Sequence, residues 1–173
     1  MTGPSPRLIW GLMVGVCALA VASSFVMTNW LGLDSCHLCI AQRILFMMLT
    51  VVALGAALGA GRRGTGLAGR LLGGLTLPIA AAGIGIASYQ SWLQLQPPES
   101  VSCVAGTPGL LERVVEWLGQ QAPALFMATG FCEDKGLSIL GLSLANWALI
   151  LFVLCLGTGV WGVFRSRPGS EVR

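Results

Sequence analysis

With 173 residues, 55% of them hydrophobic, 10% charged and a mean hydropathy of +0.80, the chain has too little charge to keep a soluble domain's surface wet. Its formal net charge of +3 comes mostly from arginines near the ends of apolar blocks. That is a topology signal and excludes a nucleic-acid-binding surface. The length allows one domain, covering residues 1–173, and the composition points to no second.

Residues 8–33 hold no charged side chain. As a helix they would run ~39 Å at 1.5 Å per residue, enough to cross a hydrocarbon core of ~30 Å. Arg7 and Ala18-Leu19-Ala20 resemble the start and cleavage site of a signal peptide. The apolar run extends well past the ~7–15 residues of such a segment, so a retained anchor is expected. Further spans are expected at residues 44–60, at 71–95 with a kink at Pro78, and at 145–164. In lipid each must be helical, because an open chain would leave its backbone groups unpaired. Gly11-x-x-x-Gly15 and Gly55-x-x-x-Gly59 predict close helix packing.

Charge then orients the spans. Arg7 precedes the first; Arg62, Arg63 and Arg70 lie between the second and third; Arg165, Arg167 and Arg173 follow the fourth. The opposite side carries Asp34, Glu99, Glu112, Glu116, Glu133 and Asp134 against Arg113 and Lys135. The positive-inside rule therefore puts both termini and the middle loop in the cytoplasm, and residues 34–39 and 96–144 outside. The fold class is an all-α membrane protein: a bundle of four transmembrane helices with a long outer (periplasmic) loop. On that loop, residues 109–119 predict a short amphipathic helix with Leu110, Leu111, Val114, Val115 and Leu118 on one face. It would lie on the membrane surface or cap the bundle as a small satellite core. Residues 137–144 are expected at the interface, with Trp147 at the entrance to the last span.

Six cysteines punctuate this layout. Cys17 and Cys155 lie deep in apolar runs and are expected to be small buried hydrophobes. Cys36, Cys39, Cys103 and Cys132 all fall on the outer side, where a disulfide-permitting compartment is expected. In Cys36-His37-Leu38-Cys39 the spacing suits a dithiol redox centre or a metal site. Cys39 sits near a helix N-terminus, where amide groups and the helix dipole favour a thiolate. Arg43, four residues on, shares its face and would hold an anion there, or else snorkel to the headgroups. Cys103 and Cys132, 29 positions apart, suggest a loop-closing disulfide, either a structural staple or an exchanging pair. Ile40 after Cys39 excludes C-x-x-C-H haem attachment, and a zinc site fails for want of ligand spacing in the second pair. No metal is expected; His37 modifies the neighbouring thiols. The patch Tyr89, Gln90, Ser91 is expected chiefly to meet the headgroups.

Taken together these features resemble the bacterial quinone-linked disulfide oxidoreductases, the disulfide bond formation protein B family. Four spans carry the resemblance, with Cys36 to Arg43 opening the second and a second cysteine pair on the outer loop. Leu93-Gln94-Leu95, Ala128-Thr129-Gly130 and Leu140-Gly141-Leu142 before Trp147 add to it. Gln42 stands where well-known members have an acidic residue, Gln90 where a histidine is expected and Leu137 where an aromatic is. The resemblance implies a multi-pass enzyme of the bacterial inner membrane with redox disulfides between Cys36 and Cys39 and between Cys103 and Cys132. A periplasmic thioredoxin-like dithiol oxidase (DsbA-like) would react at Cys103. Electrons would then pass to Cys36 and Cys39 and on to a membrane quinone, ubiquinone or menaquinone, with Arg43 holding the charge. Two alternatives stand beside it. One is a quinone reductase like vitamin K epoxide reductase, whose C-x-x-C lies late in its bundle; the other is a metal-binding or structural membrane protein with stabilising disulfides.

Overall fold

A computed structural model describes residues 5–61, 64–65, 67–96, 109–130 and 137–165. In chain order its elements are α1 (Pro6–Trp30), α2 (His37–Gly59), β1 (Ala60–Gly61), β2 (Gly64–Thr65), α3 (Leu67–Leu93), α4 (Leu110–Gln121), α5 (Pro123–Phe126), β3 (Ser138–Ile139), β4 (Leu142–Ser143) and α6 (Leu144–Arg165). Among the described residues, α1, α2, α3 and α6 are each long and apolar enough to cross a membrane. The protein is a mostly helical, multi-pass membrane protein. Cys103 and Cys132 lie outside the described residues, as do Arg62, Arg63, Arg167, Arg173, Glu99, Glu133, Asp134 and Lys135.

The four spans agree with the apolar runs to within a few residues except where α2 begins. α2 starts at His37, as the placing of Cys39 near a helix N-terminus predicts, and so extends ahead of the apolar run that opens at residue 44. Arg43 interrupts that run in sequence, but its side chain is buried and bonded within the protein, so the helix runs through it. Pro78 lies inside α3 without ending it. Neighbouring helices and hydroxyl groups make such a proline tolerable in a span, and Thr76 Oγ1 donates to Gly73 O nearby at 2.6 Å.

The helices form a ring. α1 packs on α2, α2 on α3 and α3 on α6, while α1 and α6 meet through a sparser seam. Trp10, fully buried, wedges against Gly73 of α3 and Gly162 of α6, where a Cβ would stand 2.7 Å and 2.8 Å from its ring. Phe46 and Phe152 stack with centroids 4.1 Å apart. Of the two predicted glycine motifs, Gly55 and Gly59 pack closely on Leu72 and Gly69 of α3. Among the described residues, nothing lies within 4 Å of where a Cβ on Gly11 or Gly15 would stand. Spacing alone does not say which helical face meets a neighbour.

The amphipathic helix is present as α4, with Glu112 Oε2 accepting from Gly109 N at 3.0 Å to close its first turn. Its apolar face is only partly used: Val115 is buried, whereas Leu110 and Val114 are exposed. Residues 138–143 form a hairpin, pairing Ser138 with Ser143 and Ile139 with Leu142. Its turn places Leu140 and Gly141 at φ +55° and +79°, the left-handed pair that a two-residue hairpin requires. Trp147 Nε1 donates to Ile139 O at 3.1 Å and ties the hairpin to α6.

Cys17 and Cys155, which separately read as buried hydrophobes, face each other across the seam with Sγ atoms 3.5 Å apart. A modest side-chain movement would bring them to the ~2.05 Å of a disulfide. Treating membranes with copper–phenanthroline is therefore expected to join them, giving one cross-linked peptide pair after non-reducing digestion. Recovery of both as separate peptides, under conditions that oxidise Cys36 and Cys39, would contradict the pairing of the first and last spans.

Candidate active site

The C-x-x-C is built by helix capping. Cys36 is the N-cap residue of α2, with φ −84° and ψ 167°, and its sulfur accepts from Cys39 N at 3.3 Å. This is the geometry in which a serine or aspartate oxygen normally satisfies the third amide of a helix. It brings the two sulfurs to 2.8 Å. Cys36 is buried and Cys39 partly buried, so the pair sits within the bundle end.

Arg43, one turn further along α2, is only 4% exposed. Its Nε donates to Ser24 Oγ at 3.0 Å, and Nη2 donates to Thr28 Oγ1 at 2.7 Å and to Ser24 O at 3.4 Å. Nη1 donates to Leu125 O on α5 at 2.8 Å, and the Phe25 ring lies 4.5 Å from the guanidinium carbon. The side chain thus turns inward rather than reaching for the headgroups. All its acceptor oxygens are neutral, so the positive charge remains to act on whatever lies beside it.

Beside it is a cavity of about 390 Å³, the size of small-molecule sites. α1 supplies Ala20, Ser23, Ser24 and Met27; α6 supplies Ala145, Ala148 and Leu151; Phe46 closes the back. Cys39, Gln42, Arg43 and Asp34 belong to the polar part of its lining, with the hydroxyl residues Ser23, Ser24, Thr28 and Ser35. An apolar slot with a thiol and a cation on its wall suits a flat, lipid-soluble molecule carrying polar oxygens.

The outer segment is stitched to this end of the bundle. Thr129 N and Gly130 N donate to Ser35 O at 2.9 Å and 3.2 Å, and Thr129 Oγ1 donates to Asp34 Oδ1 at 2.7 Å. Gly130 is required there, since a Cβ would come within 2.9 Å of Asp34 O. With the bond from Arg43 to Leu125, this clamp docks residues 122–130 against the turn that precedes Cys36.

Cys36, Cys39 and Arg43 therefore converge as expected, but Gln90 departs from expectation. Tyr89 is exposed and stacks on Trp92, whereas Gln90 is buried and donates through Nε2 to Cys39 Sγ at 3.1 Å and Cys36 Sγ at 3.4 Å. Gln42 Nε2 donates to Gln90 Oε1 at 2.8 Å. Polar side chains inside apolar spans were the available signal, as were Ser24 and Thr28 at helical i, i+4 spacing.

The arrangement defines a class: a membrane-embedded cysteine pair at a helix start, adjoining an apolar cavity with one buried cation. Residues 6–162 match the family model described as disulfide bond formation protein DsbB. Among similar proteins, the disulfide bond formation protein B of Dechloromonas aromatica (strain RCB) is 38% identical over 149 residues, covering 85% of this chain and 86% of that protein. That of Azoarcus sp. (strain BH72) is 38% identical over 151 residues, covering 87% and 88%. That of Aromatoleum aromaticum (strain DSM 19018 / LMG 30748 / EbN1) is 34% identical over 166 residues, covering 95% and 96%. The chain belongs to the DsbB family of disulfide bond formation proteins, which makes it a disulfide oxidoreductase.

Replacing Thr129 by valine keeps the side chain's shape and removes its bond to Asp34. The clamp is expected to weaken by about 1 kcal/mol, a roughly 5-fold faster exchange of the Thr129 and Gly130 amide hydrogens. Unchanged exchange would show that the side-chain bond does not hold the segment down.

Proposed function

We propose that this protein oxidises a periplasmic thioredoxin-like dithiol protein (DsbA-like) and passes the electrons through two cysteine pairs to a membrane quinone. The observation that carries this reading is that Cys39 and Arg43 share the wall of one apolar cavity in the seam between α1 and α6. On this reading both termini face the cytoplasm, the membrane is the bacterial inner membrane, and the cavity lies at the periplasmic end.

The relay is a series of thiolate attacks on disulfide sulfurs. The reduced partner's thiolate attacks Cys103 of the Cys103–Cys132 disulfide, forming a mixed disulfide and releasing Cys132 as thiolate. The partner's second thiolate displaces Cys103 and leaves as an oxidised disulfide. The Cys103 and Cys132 thiols then reduce the disulfide between Cys36 and Cys39 by the same exchange, and the clamp at Thr129 and Gly130 holds the chain leading to Cys132 beside Ser35. Cys39 is left with its negative charge on the cavity wall, one turn from Arg43. A quinone held there would supply the oxidant: the Cys36 and Cys39 sulfurs would re-form their disulfide, giving up the two electrons and two protons received from the outer pair. Arg43 stabilises the charge that develops, and Nη1, with one bond to Leu125 O, has a second N–H to offer an acceptor oxygen. The sparse α1–α6 seam suits sideways entry from the bilayer.

Purified protein supplied with ubiquinone or menaquinone is expected to oxidise a reduced thioredoxin-like oxidase catalytically. A partner whose thiols stay reduced would sink the proposal. Cys39→Ala should abolish turnover yet leave Cys103 able to trap the partner once as a mixed disulfide; turnover at the wild-type rate would remove the inner pair from the route. Arg43→Ala is expected to raise the KM for quinone by roughly 10-fold or more, as befits a lost hydrogen bond to a charged group. An unaltered KM would reduce Arg43 to a structural tie between α1, α2 and α5.

A further inference from the structure

We propose that Gln90 is a catalytic residue of the inner sulfur pair: a non-ionising donor, aimed by Gln42, that stabilises Cys36 and Cys39 in their reduced state. The inference rests on the reading of these cysteines as a redox pair. It assigns to a buried amide the work of setting how readily that pair is reduced.

Gln90 projects from α3 and Gln42 from α2, and both are almost fully buried, at 2% and 6% exposure. A buried amide is costly unless its donors and acceptors are used. Gln42 Nε2 donates to Gln90 Oε1 at 2.8 Å, which commits the oxygen of Gln90 to its neighbour. Its nitrogen must then face the other way, and there it meets Cys39 Sγ at 3.1 Å and Cys36 Sγ at 3.4 Å. An amide nitrogen carries a hydrogen for each sulfur. When the disulfide opens, the donor is already in place for both products, with no reorientation in a tightly packed interior.

Sulfur accepts a hydrogen bond weakly as a disulfide and much more strongly as a thiolate, because charge-assisted bonds are roughly twice as strong as neutral ones. The donor therefore favours the reduced pair over the oxidised one and makes the pair a better electron acceptor from the outer cysteines. Gln42 does not touch sulfur. It is a positioning residue that acts by holding the Gln90 amide in the productive orientation.

Replacing Gln90 alone would strand the Gln42 amide and could unfold the bundle. Removing both partners together is close to neutral for stability, since no buried polar group is then left alone. In the reduced, detergent-solubilised full chain, Gln42→Leu/Gln90→Leu is expected to slow iodoacetamide labelling of Cys39 by about 10-fold, read by peptide mass spectrometry. The equilibrium of Cys36 and Cys39 with glutathione should shift about 10-fold toward the disulfide. Gln42→Leu alone should shift both in the same direction by less, because the Gln90 donor remains but is no longer aimed. A folded double variant with wild-type labelling and wild-type equilibrium would overturn the proposal. So would a Gln42→Leu variant more severely affected than the double one, for Gln42 would then act on its own account. Neither readout needs quinone or partner protein. Failure of the thiol-to-quinone reading would instead appear as wild-type protein that leaves its partner reduced.

Discussion

One buried guanidinium ties together the end of the bundle that carries Cys36 and Cys39. A charged side chain inside a span costs about 2.5–3.5 kcal/mol at the centre and less toward the interface. Arg43 offsets that cost by bonding Ser24 and Thr28 of α1 and the Leu125 carbonyl of α5. Two elements, α1 and α5, are thus fastened to α2 through a single side chain. Each of those acceptors is uncharged, so the fastening leaves the cation's field intact. Arg43 can serve as both tie and electrostatic group because its planar fork spreads many donors around one charge.

The sulfur pair depends on a second economy of atoms. Cys36 caps α2 with the same sulfur that would exchange with Cys39. A thiol is a poorer acceptor than the serine or aspartate oxygen usual at that position, so the cap gives the helix a soft start. That softness would suit the exchange proposed for this sulfur. The polar surroundings compensate: the Gln90 amide spans both sulfurs, and the clamp from Thr129 and Gly130 to Asp34 and Ser35 steadies the turn leading into the cap. Rigidity is supplied by the neighbours, and the reacting atoms themselves stay lightly held.

Much of this was legible in the sequence. The four spans follow from uninterrupted apolar runs, and the nearness of Cys36, Cys39 and Arg43 follows from i, i+3 and i, i+4 spacing at a helix start. What was not legible depends on partners far away in sequence. Gln90 reads as one of three polar residues near a span end; only α2 lying against α3 turns it toward the sulfurs. Gly11 and Gly15 have the same spacing as Gly55 and Gly59, but α1 is rotated so that no described neighbour lies within 4 Å of where their Cβ atoms would stand. Cys17 and Cys155 each look solitary until the ring of helices closes. The burial of Arg43 was not legible either, because a lone arginine at a span end looks like one reaching for the headgroups unless its acceptors on α1 and α5 are known.

Side-chain size helps explain why there is a cavity at this end of the bundle. Near the start of α1, Trp10 fills the space between α1, α3 and α6, and Gly73 and Gly162 make room for it. In mid-bundle, Phe46 stacks on Phe152. Around the cavity several of the residues that α1 and α6 contribute are small, Ala20, Ser23 and Ser24 on one side and Ala145 and Ala148 on the other, with Met27 and Leu151 the larger exceptions. Helices kept apart by bulky contacts below cannot collapse onto small ones above, because a packed interior deforms little. The gap therefore persists between α1 and α6, lined also by Phe46, Cys39 and Arg43 of α2. The cavity beside Cys39 and Arg43 thus owes its room in part to small residues on two helices.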